Sequence, residues 1–171
     1  KYGFPVFAMN WLQAPVGTDP KTHELTEGFK EKGFLPEAFI NLLAVLGWND
    51  GTEQEIFSME ELIEKFSIER VHKAGAKFDF EKAKWFNHEW IKKQSVQSLK
   101  FSVKEIFEAA DIVIENESLL EKVIELVKDR CTLLPDFYEQ GKFFFVSPVS
   151  YDEASVKPKW DEAKKIFFDE L

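Results

Sequence analysis

Apolar positions recur along most of this chain at the three- and four-residue spacing of helices, so the predicted architecture is mainly α. The clearest case is Phe39, Leu42, Leu43 and Leu46, with Pro36 suited to the first helical position and Gly47 to the C-terminal stop. Asn49-Asp50-Gly51 then turns the chain. Ser58-Met59-Glu60-Glu61 has the form of a capping box, with Phe57 and Leu62 as its hydrophobic staple, and predicts a short helix to about Phe66. Ser67 to Arg70 can begin another turn. Asp79 is a candidate N-cap for a helix from Phe80 to about Gln94. On that helix Phe80, Ala83, Asn87, Trp90 and Ile91 share one stripe, while Lys82, Trp85, Glu89, Lys92 and Lys93 fall opposite. An amide at Asn87, inside the apolar stripe, requires buried partners.

Further along, Ser102-Val103-Lys104-Glu105 reads as a second capping box and predicts a helix over Val103 to Ala110. Helices are also predicted at Leu119 to Arg130, with Leu119, Leu120, Val123, Ile124 and Val127 as the core stripe, at Leu134 to Glu139 and at Lys159 to Asp169. Phe143-Phe144-Phe145-Val146 is strand-like but too short to separate from an apolar helix turn or a buried connector. Before Gly33 the pattern is a polar, helical stretch, preceded by loop chemistry at Gly17-Thr18-Asp19-Pro20 and an apolar opening around Pro5 without a clear period. The composition changes after Ser95, which places a subdomain boundary near residues 95 to 101. Lys1 in place of Met, and no clear terminator at Leu171, read as a piece cut from a longer chain.

Composition adds that 171 residues with 44% hydrophobic content can bury a sizeable core. The single cysteine, Cys131, excludes an intramolecular disulfide and fits a reducing compartment. The longest apolar run, Phe39 to Leu46, contains Asn41 and is far too short to span a bilayer, and no signal-peptide pattern opens the chain; a soluble, cytoplasmic protein is expected. The net charge of −9 argues against a polyanionic partner. Its distribution reverses that locally. From Arg70 to Lys104 nine Lys or Arg stand against three acids, a net of +6, which leaves −15 for the remainder.

Candidate chemistry is sparse. His23, His72 and His88 lack the close spacing of a metal site, so no metal is expected. Lys128 and Arg130 stand near Cys131, where they can lower a thiol pKa, but no His has a defined spacing to it, and a small helix-end residue is the simpler reading. No phosphate-cradling Gly motif is present, pairs such as Glu60/Glu61 suit a solvated face, and no residue reads as catalytic. The basic face of the Phe80 helix is the exception: Trp85 can stack on a base or pack on sugar while the lysines neutralise phosphates. Packing of Trp85 against another helix, and a merely solvated basic surface, are the competing readings.

The blocks Gly33-Phe34-Leu35-Pro36-Glu37-Ala38, Asn41-Leu42-Leu43-Ala44, Leu46-Gly47-Trp48, Glu55-Ile56-Phe57-Ser58, Phe78-Asp79, Lys82 with Trp85 and Asn87, Leu134-Pro135-Asp136-Phe137 and Phe144-Phe145-Val146 occur in order. Together they resemble bacterial glutamyl-tRNA synthetases. The likeness is close from Glu27 to about Ile91 and weaker beyond.

It implies a piece of a class I aminoacyl-tRNA synthetase, which joins glutamate to its tRNA in two ATP-dependent steps. The family's catalytic domain, with its HIGH and KLSKR-type motifs, is then expected before Lys1; neither motif is in this sequence. The implied division is a linker at residues 1–26, a helical stem-contact subdomain at 27–98, and the first part of an α-helical anticodon-binding bundle at 99–171. The implied partners are tRNA(Glu) and the protein's own catalytic domain, with no membrane and no DNA. ATP and Mg2+ serve the full-length enzyme, and the piece itself is expected to need no cofactor and to be inactive alone. Arg70, Lys73, Lys77, Lys82, Trp85, Lys92 and Lys93 are the expected tRNA contacts, to phosphate or sugar. The segment from Phe4 to His23 is longer than in most members, and Trp90 stands where many have Tyr. Some members also charge the glutamine tRNA, which nothing in these residues decides. The alternative is an acidic helical protein-interaction module without RNA binding, docking through Trp11, Trp85 and Trp160.

Overall fold

The computed structural model describes residues 28–73, 77–147, 150 and 164. Six α-helices run in order among them: α1 (Pro36–Gly47), α2 (Met59–Lys65), α3 (Phe80–Lys93), α4 (Val96–Ala109), α5 (Glu117–Val127) and α6 (Asp136–Gly141). Short 3-10 turns follow α2 at Ile68–Arg70, α5 at Lys128–Arg130 and α6 at Lys142–Phe144. The last of these takes up the strand-like Phe run. Extended pairing among the described residues is one isolated antiparallel bridge, Trp48 to Val71, beside which His72 N–H donates to Gly47 O at 2.8 Å. The expected linker at 1–26, with Trp11 and His23, lies outside the described residues, as does Trp160; of the expected helix Lys159 to Asp169 only Lys164 is described, and it is helical and exposed.

The caps explain most helix starts. Ser58 and Glu61 form the expected capping box, and Phe57 and Leu62 are buried in one cluster with Trp48. Asp79 accepts from Glu81 N at 2.9 Å and Lys82 N at 3.2 Å. Two expectations fail in detail. Helix α4 starts at Val96, capped by Ser95, whose hydroxyl accepts from Ser98 N at 3.1 Å; Ser102 lies inside the helix, and its capping-box spacing is unused. Gly47 is the last helical residue, so α1 ends through the extended Trp48, not through a left-handed glycine. After α4 the left-handed residue is Asp111, φ 60°, and Ile112 N–H reaches back to Phe107 O at 3.0 Å in a Schellman-type closure.

Helix α1 packs on α3, α4 on α5, and α6 on both α4 and α5. The largest core cluster joins Leu35, Ala38 and Ile91 to Leu99, Val103, Phe107, Leu120, Ile124 and Phe137, so one core runs from the α1 side into the bundle. A second, of Phe29, Phe34, Leu42, Ala83 and Phe86, lies between α1 and α3. Phe86, outside the predicted stripe, is fully buried, whereas Leu43 of α1 is exposed.

Buried amides fasten these layers. Leu35 N–H donates to Asn87 Oδ1 at 2.7 Å, and Asn87 Nδ2 donates to Thr132 O at 2.6 Å and Gly33 O at 3.4 Å. On α1, Asn41 Oδ1 accepts from Phe57 N at 3.0 Å and Trp90 Nε1 at 3.1 Å, while its Nδ2 donates to Glu55 O at 2.9 Å. Each side chain replaces a missing segment of backbone pairing, as burial of polar groups demands. Gly33 has φ +85° and gives its carbonyl to Leu134 N at 3.0 Å; a Cβ there would overlap the Pro135 ring.

Candidate nucleic-acid interface

Helix α3 presents to solvent the line the sequence anticipates, with Lys82, Trp85 and Lys92 exposed. Trp85 is 42% exposed, and its ring meets Phe86 edge-on at 5.0 Å between centroids, so its inner side packs within the helix layer and the rest stays open. Lys93 is also exposed, with its ammonium 5.7 Å from the centre of the Trp90 ring. Arg70, Lys73 and Lys77 precede the helix, all exposed, and the guanidinium of Arg70 lies over the Gly51 turn.

Charge on this face is arranged differently from the sequence count. Lys82 pairs with Glu55, Lys84 with Glu81 at 3.0 Å and Lys92 with Glu89 at 3.0 Å. Lys100 bridges Glu117 at 2.9 Å and Glu121 at 3.0 Å, and Lys104 reaches Glu117 at 3.2 Å, which ties α4 to α5. Glu81 and Glu89 are already counted in the +6, so the carboxylates brought in from elsewhere, Glu55, Glu117 and Glu121, compensate half of it in space. Arg70, Lys73, Lys77 and Lys93 make no ion pair among the described residues, so the uncompensated charge gathers mainly in the connection before α3. Glu61 holds its carboxyl below the usual range, first through the hydrogen bond from Ser58 N–H and then that from Gln54, with Lys65 and Lys93 adding positive charge. Sequence reasoning missed Glu55 as a counter-charge because its partner Lys82 lies 27 residues away, where no helical spacing signals it.

The remaining candidates are structural. Cys131 is buried, its thiol donating to Val127 O at 3.4 Å, and burial with the nearby Asp136 charge pushes its pKa up to about 12. The basic neighbours in sequence do not activate it. His88 Nδ1 donates to Cys131 O at 2.8 Å. Among the described residues no group of three or more His, Cys, Asp or Glu is placed to hold a metal ion, and no helix is long and apolar enough to cross a membrane.

A helical layer that joins a bundle, with an exposed Trp on a lysine-bearing helix, matches known families. Residues 80–168 match the anticodon binding domain, and residues 20–85 match the catalytic domain of class I (E and Q) tRNA synthetases; the two overlap within α3. The chain belongs to the anticodon-binding-domain family of class I synthetases. It is homologous to glutamate–tRNA ligases: it is 44% identical over 162 residues to that of Porphyromonas gingivalis, covering 95% of this chain and 31% of that protein. To that of Flavobacterium psychrophilum it is 47% identical over 163 residues, covering 95% and 30%. A crystal structure of a glutamate tRNA ligase from Elizabethkingia meningosepticum superposes with a TM-score of 0.79 at 40% identity, covering 99% of this chain and 32% of that one. The Elizabethkingia anophelis glutamate-tRNA synthetase gives 0.74 at 43%, covering 92% and 30%. The chain spans about a third of the length of the curated relatives it matches.

Proposed function

We propose that this chain is the tRNA-binding part of a cytoplasmic glutamate–tRNA ligase, holding tRNA(Glu) for ATP-dependent attachment of glutamate by a catalytic domain elsewhere in the protein. The observation that carries the reading is the anticodon-binding-domain match across α3 to α6 and beyond, in a chain whose curated relatives are glutamate–tRNA ligases. We divide it into a linker at 1–26, a stem-contact unit at 27–98 and the first part of the anticodon-binding bundle at 99–171, meeting in the first turn of α4. ATP and Mg2+ belong to the whole ligase.

In this reading Arg70, Lys73 and Lys77 supply long-range attraction because no carboxylate among the described residues neutralises them. Lys82, Lys92 and Lys93 make shorter-range phosphate contacts, and Trp85 packs on sugar or base. The test is a titration of the chain with tRNA(Glu) at two salt concentrations, beside an Arg70→Ala/Lys73→Ala/Lys77→Ala variant and a Lys82→Ala/Lys92→Ala/Lys93→Ala variant. Affinity is expected to fall steeply with salt, with the slope reduced by roughly 0.7 to 0.9 for each phosphate contact removed, and more by the first variant than by the second. Binding indifferent to salt, or equal for all three proteins, would favour the protein-interaction reading.

A further inference from the structure

The pairing of Lys82 with Glu55 is not a chance meeting of two surface chains. Both side chains are 44% exposed, yet the backbone that carries Glu55 is fixed from beneath: Glu55 O accepts from Asn41 Nδ2 at 2.9 Å, and the same amide accepts from Phe57 N and from Trp90 Nε1 of α3. The buried Asn41 thus sets the distance between the 55–57 segment and α3, and with it the carboxylate's position over Lys82. Nothing else among the described residues engages the Glu55 carboxylate. Glu61, in contrast, has both oxygens occupied, by Ser58 N at 2.8 Å and Gln54 Nε2 at 3.1 Å. Lys82 also sits one turn before Trp85, on the exposed line of the helix, where a phosphate would lie if the ring packs on sugar or base.

From this geometry we propose that Glu55 is a built-in competitor for RNA phosphate: it occupies Lys82 in the free protein and is displaced when a correctly seated tRNA brings a phosphate to the same ammonium. The proposal rests on the tRNA-binding reading above. An exposed ion pair is weak enough to be exchanged and strong enough to tax every polyanion that approaches. The tax falls equally on all RNAs, but only one that also fills the rest of the interface recovers it through further contacts. Glu55 therefore sets an affinity threshold for the interface, acting through Lys82: an RNA that fills little else of it stays weakly bound.

The experiment compares the chain, Glu55→Gln, Lys82→Met and the double variant, each titrated with tRNA(Glu) and with a non-cognate tRNA across a salt series. Thermal unfolding serves as the folding control. Gln keeps the size and the backbone carbonyl that Asn41 holds. Glu55→Gln is expected to tighten binding of both tRNAs about two- to fivefold, the factor an exposed ion pair is worth, and to steepen the salt slope by up to about one. The gain should be alike for the two tRNAs, and the double variant should lose it. If the chain binds tRNA but Glu55→Gln changes neither affinity nor slope, or keeps its effect without Lys82, the competitor role is wrong and the tRNA-binding reading stands. If the chain binds no tRNA at any salt, both fall.

Discussion

Asn87 shows how much one side chain decides. It is fully buried and holds the backbone of Gly33, Leu35 and Thr132 at once. Asn87→Ala would leave Leu35 N–H and Thr132 O without that partner and open a small void, while Gly33 O keeps the bond from Leu134 N–H. Each stranded group costs more than a net hydrogen bond is worth, so we expect a loss of about 2–4 kcal/mol, read from urea unfolding. A loss under about 0.5 kcal/mol would mean that water or a relaxed loop replaces the amide. The need for partners was legible from the apolar stripe; their identity was not, because they lie 45 to 54 residues away in sequence. Asn41 was hidden for the opposite reason. It sits within an apolar run, among leucines whose helical spacing drew attention to Leu43, which the fold leaves exposed.

Among elements, α4 separates a pattern from its use. Ser-x-x-Glu at 102–105 fits the capping rule, but the rule is satisfied by any helix interior that happens to carry those residues. Ser95 lacks a Glu three residues on and gave the weaker signal, yet it makes the cap, with Ser98 N at 3.1 Å. Ser95→Ala should cost about 0.5–1 kcal/mol and Ser102→Ala much less, by thermal unfolding of each variant. Equal effects would mean that the first turn of α4 is held by its packing, not by its cap. Helices α2 and α3 were legible to within a residue because their caps and apolar stripes agree. The charge on α3 was not, because its counter-charges arrive from other elements.

At the scale of the whole molecule, Asp50, Glu117 and Glu121 are held in their charged form. The Thr52 hydroxyl, joined by Thr52 N–H and Lys65, lowers the pKa of Asp50; Lys100 lowers those of Glu117 and Glu121, with Lys104 and Gln97 assisting. A carboxyl whose folded pKa lies below its unfolded value leaves the native state with fewer protons as the pH falls. Its stabilising contribution is full above the ordinary carboxylate range of about 4 and is lost as the pH falls through the lowered values. Lys100, raised first by Glu117 and then by Glu121, contributes in full below its ordinary pKa of 10.5 and loses that contribution as the pH rises through the raised value. The melting temperature should therefore hold near neutral pH and drop below about pH 4, with a shallower acid drop in Glu117→Gln. An unchanged acid limb in that variant would remove the α4–α5 network from the account.

The junction of Gly33 with Leu134 also sets an order of events during synthesis. The groups that satisfy Gly33 and Leu35 lie as much as about a hundred residues downstream, so at roughly 5–20 residues per second the ribosome delivers the last of them many seconds later. Until then the first helix has emerged with no lid over its entry. The N-terminal layer waits for the bundle, and the two must consolidate together rather than one after the other.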